Sequence, residues 1–311
     1  MEVIHSLSKI DRLSHMTGVS LGSFDGIHKG HLTLINSLVE NCRKKNLKSV
    51  IYTFSNHPRG VINTKNSPKI IISKRQKVDL FKEIGIDFLF MVDFDDFQRN
   101  ISAEDFVAKI LLEKLNMSSM TVGTDCRFGK KAEGDIILLE QFSKDYSFDL
   151  TIVPPVKLED KIISSTAIRH FLSQGLIEKA NMFLGRNYSI IGKVIKGKQL
   201  GSKLGFPTAN ISIDFNMSLP KPGVYVSKTK VGNRVYNSIT NVGFNPTFNQ
   251  KNYNIETYIL EFNKNIYGEE VEVHFLHRIR DEIKFNSIDD LCDQINKDII
   301  YSKEYFKTFE L

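Results

Sequence analysis

The stretch Leu21-Gly-Ser-Phe-Asp-Gly-Ile-His-Lys-Gly-His31 decides how the first half of this chain folds. Leading into it, Gly18-Val-Ser-Leu-Gly22 reads as a short buried strand. After it, Leu34, Ile35, Leu38, Val39 and Cys42 recur on one helical face. The stretch therefore turns a strand into a helix. Open α/β sheets bind ligands at the carboxyl ends of their strands, and a helix N-terminus favours anions. Gly22, Gly26 and Gly30 let backbone approach a phosphate that a Cβ would hold off. His28 and His31 place two imidazoles at the same corner, able to stabilise charge on a transferring nucleotidyl group. A tight turn carrying two solvated histidines fits the same residues.

Outward from this corner the rhythm repeats. Ser49 to Phe54, Phe88 to Phe94, Met120 to Gly123 and Leu150 to Val153 read as strands. Residues 74–84, a segment opened by Ser102-Ala-Glu-Asp105 and running through Leu115, and a stretch near 134–143 read as helices. Such βα alternation predicts a parallel sheet covered by helices on both faces. Near Leu184-Gly-Arg-Asn-Tyr188 the pattern changes. Ser189 to Ile195, Val224 to Thr229, Val235 to Asn241, Glu256 to Phe262 and Val271 to Phe275 are short β-rich segments, and Val231-Gly-Asn-Arg234 reads as a hairpin turn. Helical spacing returns only at the end, at Ile288, Leu291, Cys292, Ile295 and Ile299. The second half is expected to be an antiparallel barrel closed by a C-terminal helix.

Two further constellations carry oxygen and nitrogen donors. In Ile163-Ser-Ser-Thr-Ala-Ile-Arg169, Ser164, Ser165 and Thr166 are N-cap types, and Arg169 falls on the face of Thr166 and Ser165. Hydroxyls, amide N–H groups and a guanidinium would converge on a phosphate chain, although an ordinary capped helix reads the same way. In Leu204-Gly-Phe-Pro-Thr-Ala-Asn210, Gly205 and Pro207 fix a bend. Thr208 and Asn210 then offer oxygens at alternate positions of an extended segment, the hard donors that Mg²⁺ takes. Glu256 opens the strand to Phe262, and a carboxylate beside a metal-bound phosphate could accept a proton from an attacking hydroxyl. Alone, these are also a turn and a solvated strand glutamate.

Composition narrows the classes. Apolar residues make up 41% and charged residues 25%, ordinary for a globular chain. The net charge of +6 divides evenly between residues 1–185 and 186–311, without the clustered basic stripe of a nucleic-acid binder. Apolar runs are too short for a membrane span, and the N-terminus lacks the apolar core of a signal peptide. Cys42, Cys126 and Cys292 lie far apart, without metal or redox spacing, which predicts free thiols and a cytoplasmic protein.

Taken together, His-X-Gly-His and Ser-Ser-Thr-X-Ile-Arg resemble the nucleotidyltransferase superfamily, which transfers AMP or CMP and releases pyrophosphate. The fuller GSFDGIHKGH, with Thr53-Phe54, His57-Pro58 and Val122-Gly-Thr-Asp-Cys-Arg-Phe-Gly129, resembles the FMN adenylyltransferase half of bacterial riboflavin kinase/FAD synthetases. GFPTAN, Lys221-Pro-Gly-Val-Tyr225, Asn241-Val-Gly-Phe-Asn-Pro-Thr-Phe248, Glu256 to Phe262 and Phe275 to Phe285 follow in the order of the riboflavin kinase domain.

The resemblance implies an α/β Rossmann-like nucleotidyltransferase domain over residues 1–185 and an antiparallel β-barrel riboflavin kinase domain with a C-terminal helix over 186–311. It implies FAD biosynthesis from riboflavin through FMN, using ATP and Mg²⁺, with small molecules rather than nucleic acid or membrane as partners. By the same resemblance His28 and His31 contact ATP phosphates, in a site with Gly22, Phe24 and Gly30. Ser165, Thr166 and Arg169 hold the triphosphate, and His57, Asp125 and Phe128 help seat nucleotide and flavin. Thr208 and Asn210 bind Mg-ATP beside Gly205 and Pro207, Glu256 is the base for the ribityl 5′-hydroxyl, and Arg280 flanks the flavin. Asn56, Cys126, Ser202 and Asn245 depart from the family's usual residues. The departures at Cys126, Ser202 and Asn245 leave room for a flavin-binding regulatory homologue that has lost one or both activities, and His-X-Gly-His alone leaves room for another phosphate acceptor.

Overall fold

The computed structural model describes residues 1–56, 68–197, 201, 204–214, 216–245 and 252–309. The chain forms two units, Met1–Lys69 with Ser73–Ser165, and Ile70–Ile72 with Thr166–Leu311.

In the first unit, β1 (Glu2–Ile4), β2 (Thr17–Leu21), β3 (Lys48–Phe54), β4 (Phe88–Val92), β5 (Met117–Gly123) and β6 (Asp149–Val153) form a sheet in the order β1-β4-β3-β2-β5-β6. Every pairing is parallel. From β2 the chain steps outward through β3 and β4, then returns to β5 and β6 on the other side of β2. Right-handed crossovers that reverse direction in this way put helices on opposite faces. The reversal lies between β2 and β5, so the turns leaving those two strands share one crevice. The α1 helix (Lys29–Lys44) buries Leu34, Ile35, Leu38, Val39 and Cys42, the face its sequence predicts. The α2 helix (Lys74–Ile84) opens with a capping box between Ser73 and Gln76 and ends on left-handed Gly85. The α3 helix spans Ile136–Asp145.

Two features differ from expectation. The edge strand β1 pairs with β4 in a segment too short to show periodicity. The helix capped by Ser102 continues through Phe106–Lys114 as a π-helix, with the Leu115 N–H reaching Ile110 O at 2.9 Å. Apolar spacing hides that change, because Phe106, Val107, Ile110 and Leu111 bury their side chains in the core either way.

After a short hairpin of β7 (Lys157–Leu158) and β8 (Lys161–Ile162) come α4 (Ser165–Gln174) and α5 (Ile177–Leu184). The second unit is then a closed antiparallel barrel of β9 (Tyr188–Ile195), β10 (Ala209–Ser212), β11 (Gly223–Val231), β12 (Arg234–Asn245), β13 (Asn252–Ile259) and β14 (Glu270–Arg280), followed by α6 (Ile288–Phe309). Val231 pairs with Arg234 across the expected two-residue turn. Alternation splits each strand between two environments. Outward-facing Val224, Val226 and Ile239 pack with Phe306 of α6. Inside, fully buried hydroxyls form a chain from Thr229 through Ser238, Ser227 and Thr240 to Thr257, with links of 2.7 to 3.0 Å. Each hydroxyl satisfies a neighbour that would otherwise be stranded away from water.

Candidate active sites

At the end of β2 the backbone takes an uncommon path. Phe24, Gly26 and Ile27 all have left-handed φ values, of 44°, 88° and 37°. A β-branched residue in that region is strained, and such strain persists only where surroundings impose it. The surroundings are visible. Ser23 O accepts from the Thr53 hydroxyl at 3.2 Å and from Lys77 Nζ at 2.8 Å, while Asp25 O accepts from the Ser165 hydroxyl at 2.8 Å. His28 then caps α1, its Nδ1 accepting from the His31 N–H at 3.2 Å. With Nδ1 so used, the neutral ring carries its proton on Nε2. The His28 and His31 rings stack 3.7 Å apart at an interplanar angle of 11°.

The glycines serve this packing. A Cβ on Gly22 would lie 3.0 Å from the Phe24 ring, and one on Gly30 would lie 3.2 Å from the His28 ring. Phe24 is buried, edge-on to His31 and Phe81, and so supports the histidines from beneath. Across the crevice Asp125 is exposed beyond β5, whereas Phe128 is buried against Phe106. Thr166 is exposed on α4, and half-buried Arg169 lies one helical turn beyond Ser165 on the same face. His57 lies outside the described residues.

Two of the departures acquire structural roles. Asn56 Oδ1 accepts the Phe94 N–H at 2.8 Å, fixing the end of β3 against the segment after β4. Cys126 packs on the apolar core, and burial pushes its thiol up to about 12, so it behaves as a small neutral filler. Ser202 and the side chain of Asn245 lie outside the described residues.

In the barrel, sheet register builds the second site. Asn210 on β10 and Asn241 on β12 are both direct partners of Glu256 on β13. The three polar groups therefore stand in one row across neighbouring strands. Thr208, two residues before Asn210, places its hydroxyl 3.5 Å from Glu256 Oε2, and Asn254 Nδ2 donates to Glu256 Oε1. Gly205 makes the preceding bend possible with φ of 87°. This row lines a cavity of about 380 Å³ walled by Phe206, Tyr258, Phe285, Leu291 and Ile295. Pro207 and Thr208 also line a second cavity, of about 280 Å³, with Phe262 and Tyr267. Thr208 stands where the two meet. Arg280 lines the larger cavity, but its guanidinium is engaged by Asp298 of α6, a partner distant in sequence and without a local signal. Asn241 opens a motif that gives no sign of its partner, since only strand pairing brings it to Glu256, while Asn254, two residues before Glu256 on the same strand, lies outside every motif.

The fold is thus a nucleotidyltransferase-like parallel α/β unit followed by a closed antiparallel barrel with a C-terminal helix. The FAD synthetase family matches residues 11–167, and the riboflavin kinase family matches residues 184–306. The chain belongs to the bifunctional riboflavin kinase/FMN adenylyltransferases. It is 37% identical to the protein of that description from Buchnera aphidicola subsp. Schizaphis graminum, over 98% of this chain and 99% of that one. It is 33% identical to the one from Escherichia coli K12, over 97% and 96%. A solved structure described as a macrolide-efflux protein from Streptococcus pneumoniae superimposes with a TM-score of 0.88 at 31% identity, over 97% and 98% of the two chains. Among the described residues of this chain, no helix is long and apolar enough to cross a membrane.

Proposed function

We propose that the two chemical steps of FAD formation fall to separate sets of residues, one at the β2–α1 corner and one on the barrel. The protein is a transferase that makes FMN from riboflavin and FAD from FMN, with ATP as donor in both steps. The observation that carries the division is the row Asn210–Glu256–Asn241, which belongs to a different unit from His28 and His31.

In the kinase step the larger cavity takes the flavin ring between apolar walls, and the smaller one takes ATP. The substrates' reacting ends then meet at Thr208. Glu256, held by Asn254, accepts the 5′-hydroxyl proton as that oxygen bonds to the γ-phosphorus and ADP leaves. The Thr208 hydroxyl and the Asn210 carboxamide oxygen are hard donors on this cavity and fit Mg²⁺, which when bound offsets phosphate charge. In the second step an FMN phosphate oxygen bonds to the α-phosphorus of ATP and pyrophosphate leaves. That nucleophile is already an anion, so the corner needs charge stabilisation rather than a base. His28, His31 and the N-terminus of α1 supply it, with Ser165, Thr166 and Arg169 on the triphosphate. Asp125 borders the acceptor, and the three unpaired thiols suit a cytoplasmic setting.

The functional boundary is placed near residue 185, where α5 ends on left-handed Gly185 and β9 begins at Tyr188. Asn181 of α5 donates to Phe275 O at 2.8 Å, so the barrel is expected to lose stability when cut there. Liquid chromatography of the full chain with riboflavin, ATP and Mg²⁺ tests the reading. FMN should appear and then FAD. Accumulation of FMN alone, or no conversion, would contradict it.

A further inference from the structure

Lys77 stands out among the groups that the proposed chemistry leaves unused. It sits in the second turn of α2, in a sequence with no motif around it, yet its Nζ reaches 2.8 Å to Ser23 O in the glycine-histidine turn. Ser23 immediately precedes Phe24, the first of the left-handed residues, and the same carbonyl takes the Thr53 hydroxyl from β3. One turn further along α2, Phe81 packs edge-on against Phe24, which in turn packs against His31. The α2 helix therefore grips the strained turn at two points, one polar and one apolar. The His28–His31 stack stands at the far end of that grip.

We propose that Lys77 is a positioning residue for adenylyl transfer: its ammonium holds the Ser23 carbonyl and, through it, the left-handed turn that aims His28 and His31 at the nucleotide. This rests on the reading of the β2–α1 corner as the adenylyl-transfer site. A strained turn relaxes when one of its restraints is removed, and small displacements of catalytic groups cost rate steeply. The charge state matters because an ammonium donates more strongly to a carbonyl than a neutral amine does. Burial pushes Lys77 down to about 8; buried Asp25 on the turn opposes that shift, and Lys74 on the same helix adds to it. The hold therefore weakens progressively as pH rises through about 8. Stability moves the other way. A lysine whose folded value lies below its unfolded one destabilises the fold while charged, and that cost fades as pH rises past the folded value.

The test compares Lys77→Met, Lys77→Arg and His31→Ala in the full chain, with FMN and riboflavin as separate substrates. Lys77→Met should slow FAD formation from FMN by up to about 10²-fold in kcat, leave riboflavin phosphorylation unchanged and keep native circular dichroism. Lys77→Arg should recover much of the rate and should lack the decline expected of the native chain above about pH 8. A Lys77→Met rate within twofold of native would overturn the proposal, as would a basic limb that persists in Lys77→Arg. Loss of both activities with a lowered melting temperature would also overturn it, making Lys77 a general fold contact. His31→Ala separates the two ideas. If it abolishes FAD formation while Lys77→Met does not, only the role of Lys77 fails. If His31→Ala has no effect, the corner is not the site and both fail.

Discussion

Arg280 grips both carboxylate oxygens of Asp298, with Nε 3.0 and 3.1 Å from Oδ1 and Oδ2 and Nη2 2.7 Å from Oδ2. Gln294 adds a bond of 3.0 Å to Oδ1 from the preceding turn of α6. Both ionic side chains are largely buried, at 17% and 5% exposure. The pair pins α6 to the end of β14, and α6 supplies Leu291 and Ile295 to the wall of the larger cavity. Arg280 thus serves the proposed flavin site by holding its wall in place.

Removing one partner strands the other charge. Arg280→Met or Asp298→Leu should cost about 3–5 kcal/mol of stability, read by thermal or urea unfolding. The riboflavin KM should rise by about tenfold, equivalent to ~1.4 kcal/mol, with a smaller change in kcat. FAD formation from supplied FMN should not change. An unaltered KM would separate α6 from flavin binding.

The hydroxyl chain inside the barrel makes a second prediction. Ser227 bonds both Ser238 and Thr240, so Ser227→Ala leaves two buried hydroxyls each short of a partner. A loss of about 1–3 kcal/mol is expected in urea unfolding, with kinase kcat intact at room temperature. A neutral result would mean that the remaining hydroxyls re-pair among themselves.

Thiol chemistry supplies a third. Burial pushes Cys42 up to about 11 and Cys126 to about 12, so neither is a thiolate near neutral pH. Iodoacetamide at pH 7.5, followed by mass spectrometry, should leave both unlabelled in the native protein and label both after unfolding. Rapid native labelling of Cys126 would contradict its place against the core.

Much of this architecture is legible in the sequence, for physical reasons. The buried face of α1 and the strands that flank it announce themselves through period, and the turn between them through glycine and histidine at a strand-to-helix junction. Glu256, Thr208 and Asn210 are legible as donor types, but not as neighbours. Their adjacency is a property of register, in which Asn210 and Glu256 become partners although 46 residues separate them. Asp298 and Lys77 are invisible for the same reason. Each is one charged residue on an amphipathic helix until the fold brings Arg280 or Ser23 to it. Gly22 and Gly30 are legible as glycines, but only the fold brings Phe24 and His28 into the space they leave. The π-helix at Phe106–Lys114 buries the same residues an α-helix would, so no pattern distinguishes it.

The central claim is that one chain carries two separable phosphate chemistries, and a paired substitution tests it most directly. Glu256→Gln and His31→Ala are each given riboflavin with ATP and Mg²⁺, then FMN with ATP and Mg²⁺, and the products are resolved by chromatography. Glu256→Gln should form FMN about 10²–10⁴-fold more slowly, yet convert supplied FMN to FAD at the native rate. His31→Ala should make FMN normally and form FAD about 10²–10³-fold more slowly. Mixed together, the two variants should carry riboflavin through to FAD. If either substitution in a folded chain abolishes both reactions, the residues do not divide as the structure divides them, and the claim of two separate sites is contradicted.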